Sequence, residues 1–482
     1  MKTAENEQNV NNKLINISQK TFISVLVLLA LLMAASIILT YAVPKGTFKA
    51  TVVDGEEIVD YKTYVSLPDE NGIPIWKGIL APFLLLGSGD GLTVIMLSLF
   101  LLVIAGTFQA MNDNGGVKAI VGRIISKFEG RKFYLLSIIA LVFMLFGALL
   151  GLFEEILTLL PIIAILTVSI GFDSFTGFLV SIVACGFGFS SAVTNPFTVL
   201  FASQLIGVNP MTNVWYRIII FFVMYGVMEL AIFLYTKKIS KNPESSLTFE
   251  RDLKFKDTLE NEVPVQNEKK TMRAYLIFFA VVLSVIIAFS AVDAIRDYTV
   301  PALIAVFLIG GALASLVSTG WNFKSSGKSF LRGVASALPT IAFILMASSI
   351  KFILVEGKVL PTVVNAINGL IESKDPYSLT LILFCIVLAL EFFISSSTAK
   401  AIFVMSLLGV LDLGITKEMQ VLIYTFADGY TNLLFPTSPV LLIGLSMIGV
   451  SYFKWLKKSW PLFILTFALV IIFLMLGIVI KF

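Results

Sequence analysis

Long apolar runs dominate this chain. They fall at 22–43, 92–111, 134–170, 176–206, 216–236, 274–292, 299–318, 334–355, 377–410, 418–448 and 460–480. Several approach the roughly 20 residues that a helix needs to cross the hydrocarbon core of a bilayer. With 57% apolar and only 14% charged residues, against roughly 25% charged in soluble domains, the chain has too little polar surface for a water-soluble globule. Short alternating segments, the mark of an outer-membrane barrel, are missing from the sequence. The polar stretch 1–21 precedes an apolar run with no small-residue cleavage site, so the first helix is expected to be retained and not removed as a signal peptide.

Two runs are too long for one span and carry a polar break near the middle. Segment 134–170 is interrupted by Glu154-Glu155, and 377–410 by Ser395, Ser396, Ser397 and Thr398. Each reads as a re-entrant hairpin, whose tip is tolerated at membrane depth only where protein or a water-filled cavity covers it. Segments 176–206 and 418–448 carry helix breakers instead: Thr194-Asn195-Pro196 in one, Asp428 through Asn432 with Pro436 in the other. Hairpin and broken helix occur twice in the same order, which predicts an internal repeat. Aligning Gly115 with Gly357 sets Glu154-Glu155 opposite Ser396-Ser397, and aligning Thr194-Asn195 with Thr431-Asn432 needs a shift of five residues.

Loop charge gives the expected orientation. Residues 44–91 carry four Lys against seven acidic residues and read as external. The stretch with Lys118, Arg123, Lys127, Arg131 and Lys132 reads as cytoplasmic, as do 237–273 with nine basic residues, 319–333 and 449–459. The resulting topology is nine spans and two hairpins, N-terminus inside and C-terminus outside, in the cell inner membrane. The expected organisation is a cytoplasmic tail (1–21), a first repeat (22–236), a cytoplasmic linker (237–273), a connecting helix and short loop (274–298) and a second, inverted repeat (299–482). Inverted repeats with broken helices at matched positions point to a secondary transporter with a site near the midplane.

The candidate site residues follow from their setting. Glu154 and Glu155 are ionisable groups inside an apolar run, where charge is costly and by default functional; the alternative is an interfacial turn between two ordinary spans. Ser190, Ser191, Thr194 and Asn195 set oxygens beside unwound backbone, and so do Thr431, Asn432, Thr437 and Ser438. Freed carbonyls with side-chain oxygens suit Na⁺, while half-helix N-termini suit a carboxylate. A kink re-satisfied by local Ser and Thr is the structural alternative. Ser395–Thr398 offer four hydroxyls to a carboxylate or ion, and Asp428 is a third acidic candidate. Glu391 and Lys400 lie on opposite arms of the second hairpin and could pair across it. Lys351 and Glu229 read as structural or snorkelling, and most glycines as close-packing positions. Cys185 and Cys385 read as buried packing residues. The absence of histidine excludes His-based catalysis, metal sites and proton relays. Gly87-Ser88-Gly89-Asp90 lacks the partner aspartate that an intramembrane protease needs, no nucleophile elbow or metal pattern is present, and the small, dispersed charge of +4 gives no nucleic-acid signal.

Glu154-Glu155-Ile-Leu-Thr-Leu-Leu-Pro161, followed by Gly171-Phe-Asp-Ser174, resembles the first hairpin of the YfcC-type carriers. These belong to the C4-dicarboxylate anaerobic carrier family of the ion-transporter superfamily, which includes an arginine/ornithine antiporter branch. Asn195-Pro196-Phe197, Ser395–Thr398 and Asp428-Gly429 through Pro436-Thr437-Ser438 are similar to further stretches of that family, so the likeness covers most of the chain. It implies an all-α integral membrane protein, an inverted-repeat transporter of elevator type with two re-entrant hairpins and two broken helices. It also implies dicarboxylate or basic amino-acid substrates and points to a homodimer. Two departures bear on the solute: Ile394 and Thr398-Ala399-Lys400 flank the serines where the family has Pro and Gly, and Ser348, with Lys351 nearby, stands where it has an arginine.

A small-molecule solute, the lipid bilayer and Na⁺ or H⁺ as coupling ion are the expected partners, with no other cofactor. Glu154, Glu155, Glu391 and Asp428 against Lys351 and Lys400 favour a basic or other amino acid over a C4-dicarboxylate anion. A channel or sensor lined by the same re-entrant elements is the alternative of another class.

Overall fold

The computed structural model describes residues 19–53, 56–89, 91–117, 119–120, 123, 128, 130–253, 268–291, 295, 298–359, 361–362, 365, 375–392, 401, 404–405 and 414–482. Helix α1 (Gln19–Ala42) leads into an antiparallel hairpin of β1 (Gly46–Val53) and β2 (Glu56–Ser66), registered Gly46 to Ser66 and Val53 to Glu56. The hairpin departs from the all-α expectation. Alternation through Thr47–Val53 and Ile58–Val65 supports strands, a pattern hidden by the high polarity of the whole loop. Ion pairs of 2.5 Å, Lys77–Glu356 and Lys358–Glu70, fasten this region to the second half of the chain.

Among the described residues, six helices are long and apolar enough to cross a membrane. Four are α2 (Gly91–Asp113, of which Val94–Asp113 qualifies), α3 (Lys132–Leu150), α7 (Val214–Lys241) and α9 (Val300–Ser318); the last two are α10 (Phe323–Glu356) and α14 (Tyr452–Val479). Between them lie α4 (Leu160–Ser169), α5 (Ser174–Ser190), α6 (Pro196–Leu205), α8 (Glu268–Ala291), α11 (Pro376–Glu391), α12 (Lys417–Leu434) and α13 (Pro439–Met447). At about 1.5 Å per residue, the ten residues of α4 reach about 15 Å, half a hydrocarbon core.

The first broken helix stops at Ser190 and resumes at Pro196, where the breakers predicted it. The second corrects the expectation. Asp428 through Asn432 lie inside the continuous helix α12, and the chain unwinds only at Phe435–Ser438. A lone Gly429 does not stop a helix whose flanks are buried, whereas Pro436 removes a donor and bars continuation. The structural equivalents are therefore Asn195-Pro196 and Ser438-Pro439, each an N-cap followed by Pro at the first helical position. They lie 243 positions apart, so the five-residue shift shrinks to one. The same spacing separates the left-handed turns Gly171 and Gly414, the N-caps Asp173 and Thr416, and the helix ends Asp113 and Glu356.

Helices α5 and α12 cross against each other at two glycines. A Cβ on Gly186 would lie 2.6 Å from Leu433, and one on Gly429 would lie 2.2 Å from the backbone of Ser190. Sequence rises along one helix as it falls along the other, so the two run antiparallel. The contact is also reciprocal: Gly186 and Gly429 are 243 apart, as are Ser190 and Leu433. Small residues allow such close backbone approach where no water drives association. Cys185 is buried as expected, but Cys385 is exposed on α11, because an apolar thiol carries no penalty on an outward, apolar face.

Beyond α7, residues 242–253 fold back onto the start of α5. Asp173 Oδ2 accepts from Tyr235 Oη (2.5 Å) and Ser246 Oγ (2.6 Å); Asp252 accepts from Ser174 N (2.7 Å), Ser174 Oγ and Thr248 Oγ1 (2.6 Å). Burial pushes the Asp252 carboxyl above its ordinary range, against the pull of these donors and of Arg251.

Leucine at Gly186 or Gly429 is expected to destabilise by about 1–3 kcal/mol through overpacking, lowering the thermal unfolding midpoint in detergent. Leucine at Gly226, which has open space around it, is expected to leave the midpoint nearly unchanged. Equal midpoints for all three would contradict the close crossing.

Candidate functional site

A chain that unwinds at membrane depth must still pair its amide and carbonyl groups. At the first break the partners come from the end of α3. Val193 N and Thr194 N both donate to Ala148 O, at 3.0 and 3.2 Å. Asn195 is fully buried; its Nδ2 donates to Gly147 O at 3.0 Å. Its Oδ1 accepts from Phe197 N (2.9 Å) and Thr198 N (3.3 Å), capping α6. Gly151, in the left-handed region at φ 69°, turns the chain beside this side chain, and a Cβ there would fall 2.6 Å from Asn195 Oδ1. π-helical turns at Phe146–Leu150 and Pro196–Leu200 flank the junction, a feature frequent at functional sites.

The tip that follows Gly151 carries the two glutamates. Glu155 is buried and opens a 3-10 turn, Glu155–Thr158, that packs against α13 of the other half. Glu154, the residue before it, is exposed. Cys185 Sγ donates to Leu152 O, holding α5 against the same tip. The structure thus joins two features that sequence separates by about 40 positions, the turn at Gly147–Gly151 that leads into Glu154-Glu155 and the Thr194-Asn195 break.

The second half supplies a comparable corner. Phe392 meets Phe435 edge-on at 5.5 Å, which brings the end of α11 to the unwound stretch. Glu391, at the end of α11, is buried, and Thr431 Oγ1 lies 3.3 Å from its Oε2 and 3.0 Å from Ala427 O. Asp428 is fully buried in the same helix, and Asn432 is half-buried. The last carbonyls of α12 are taken up by α14, Trp455 Nε1 donating to Leu433 O (3.0 Å) and Tyr452 Oη to Leu434 O (2.7 Å). Ser438 Oγ caps α13 by accepting from Leu441 N at 3.4 Å, and Thr437 is buried beside it. Ser191 Oγ donates to Phe187 O at 2.7 Å, and Ser190 Oγ reaches Phe426 O at 3.4 Å across the crossing. Ser395, Ser396, Ser397, Thr398 and Lys400 lie outside the described residues, as does Asp90. Glu229, set aside as structural in the sequence, accepts from Ser137 Oγ at 2.5 Å between α3 and α7.

The role of Asn195 as a joint of two elements was not legible from the chain, whereas the reading of glycines as close-packing positions holds for those that let α5 meet α3 and α12. Gly147 and Gly188 are also close-approach positions, within 2.2 and 2.0 Å of neighbouring backbone for an added Cβ. The Gly186-x-Gly188 spacing was the available signal.

The family model described as DcuC, C4-dicarboxylate anaerobic carrier, matches residues 22–479. The chain belongs to this carrier family. It is a multi-pass membrane protein of a transporter family, not of an enzyme family. It is 25% identical over 453 residues to the Escherichia coli (strain K12) protein named "Putative basic amino acid antiporter YfcC", covering 87% of this chain and 88% of that one. An uncharacterized Haemophilus influenzae protein is 21% identical over 366 residues, 75% of this chain and 71% of its own. Among solved structures, the Alcanivorax borkumensis YdaH transporter aligns over 96% of this chain and 98% of that one, at 15% identity and a TM-score of 0.42.

Replacing Asn195 by Ala removes a cap, about 1 kcal/mol, and strands the Gly147 carbonyl, about 1–3 kcal/mol. Asn195→Ser keeps a capping oxygen and is expected to lose less. Thermal unfolding should rank wild type above Ser above Ala; identical midpoints would remove Asn195 from the junction.

Proposed function

We propose that this carrier is a secondary active exchanger of basic amino acids, with one central site per protomer. The observation that carries the reading is that the turn leading into Glu154-Glu155 packs on the Thr194-Asn195 break, while a second corner holds Glu391, Asp428 and Thr431. Two carboxylates at the first tip, Glu154 and Glu155, and two at the second corner, Glu391 and Asp428, favour a cationic solute, its ammonium or guanidinium facing Glu154 and Glu155 through charge-assisted bonds. The solute carboxylate is then received by hydroxyls and by the half-helix N-termini capped at Asn195 and Ser438. Thr194, Thr431, Asn432 and the Ser395–Thr398 tip complete the solute shell, and Ser190, Ser191, Thr437 and Ser438 are assigned to a coupling Na⁺ or to the surroundings of a coupling H⁺. The printed name of the Escherichia coli relative agrees with this solute class.

The repeated spacing of 242–244 positions, from the caps Arg131 and Asp375 to the caps Asn195 and Ser438, supports two inverted halves, 22–236 and 299–482. On that reading both hairpins are re-entrant, and the tips and broken helices move as one body in an elevator-type cycle. The bodies pair as a homodimer in the inner membrane, with the N-terminus in the cytoplasm. The family description favours a second solute, a C4-dicarboxylate, which would meet net repulsion from the four acids unless protons or cations enter with it.

Proteoliposomes loaded with unlabelled arginine, lysine, ornithine or succinate are expected to take up labelled basic amino acid by saturable exchange. Glu154→Gln with Glu155→Gln is expected to lower that exchange at least about tenfold, the scale of a lost bond to a charged group. Undiminished exchange in the double variant would refute the cation-holding role, and exchange of succinate alone would establish the dicarboxylate reading.

A further inference from the structure

Helices α8 and α9 leave an open groove of about 640 Å³ on the outside of the molecule. On α8, Arg273, Ile277 and Val281 follow one another at helical spacing along its wall, and Leu313 and Val317 face them from α9. Its floor is shallow at Gly310, where an added Cβ would approach Phe278 to 3.2 Å. The walls are apolar and outward: Ile277 is 66% exposed and Leu313 48%.

One end of this groove is strongly basic. Lys269 and Lys270 line it together with Arg273, all three exposed on the first two turns of α8. Glu268 begins the same helix and is the one acid in those turns. The basic end lies level with a polar cluster in which Asn114 Nδ2 donates to Ser315 Oγ (2.8 Å) and Tyr275 Oη (3.3 Å). The groove therefore runs from a polar rim into the apolar zone along two membrane helices. A second groove, between α7 and α14, ends in Lys238 and Lys458, but Lys458 lies over the Tyr235 ring at 5.1 Å. No such ring contact is recorded at the basic end of the α8–α9 groove among the described residues.

We infer that the α8–α9 groove seats an anionic phospholipid, its headgroup on Lys269, Lys270 and Arg273 and an acyl chain along Ile277, Val281 and Leu313. Charge complementarity selects the occupant: three cations at the rim of an apolar trough fit a molecule with one anionic end and one hydrocarbon end. A zwitterionic lipid fills the trough and gains little at the rim. Each basic residue near an anionic headgroup contributes about a fivefold preference. The groove belongs to the connecting helix and its neighbour, away from the solute site, so solute recognition does not enter the proposal.

The test is native mass spectrometry of the full-length protein, purified in detergent and titrated with phosphatidylglycerol or phosphatidylcholine. The wild type is expected to retain one phosphatidylglycerol with at least about a tenfold preference over phosphatidylcholine. Lys269→Gln, Lys270→Gln and Arg273→Gln together are expected to abolish the preference. Leu313→Trp, which fills the trough from its rim and leaves the charges in place, is expected to remove the retained lipid. Thermal unfolding checks that both variants fold. Equal retention of the two lipids by the wild type, or undiminished phosphatidylglycerol retention in both variants, would overturn the proposal. Loss of a dimer in Leu313→Trp with lipid retention intact would overturn it in favour of a second copy in the groove.

Discussion

Everything at the centre of this protein depends on pairing backbone groups where helices stop in an apolar setting. Lipid cannot pair them, so each break takes partners built into the fold. At the first break they are the Gly147 and Ala148 carbonyls and the Asn195 side chain. At the second they are the Ser438 hydroxyl and the donors of Trp455 and Tyr452. The two solutions differ in chemistry. In the first, the end of α3 is drawn into the break; in the second, a long neighbouring helix caps the carbonyls.

That pairing requires close approach, and close approach requires small residues. Gly147, Gly188, Gly186 and Gly429 let α3, α5 and α12 come within backbone contact. The α5–α12 crossing is reciprocal, each half giving a glycine and receiving a neighbour from the other. The contact maps onto itself under a 243-position shift, Gly186 to Gly429 and Ser190 to Leu433. It also carries the acids of the second half, Glu391 and Asp428, to the same region as the first break. Electrostatic selection and helix packing therefore share the same few turns.

The sequence disclosed the polar interruptions well, because a charged or proline-bearing stretch inside an apolar run has few physical explanations. The interruptions at Glu154-Glu155 and at Asn195-Pro196 were legible for that reason. The second break was misplaced by several residues. Gly429 and Asp428 looked like breakers, yet neighbours on α5 bury them in a helix, and tertiary packing overrides so weak a local preference. The β1–β2 hairpin was not legible because its alternation is short and lies in a loop rich in charged residues. Exposure of Cys385 was not legible either, since lipid-facing and core-facing positions of an apolar helix have the same composition.

The central claim is that the two breaks, far apart in sequence, border one solute site. Cysteines placed singly at Thr194 and Thr437, in a chain with Cys185 and Cys385 replaced by serine, test it directly in proteoliposomes. Labelling by a water-soluble maleimide is measured while the exchanged solute is titrated. Both positions should be labelled, and both should be protected by the same solute over the same concentration range. Protection at one break alone, or at neither, would contradict a shared site.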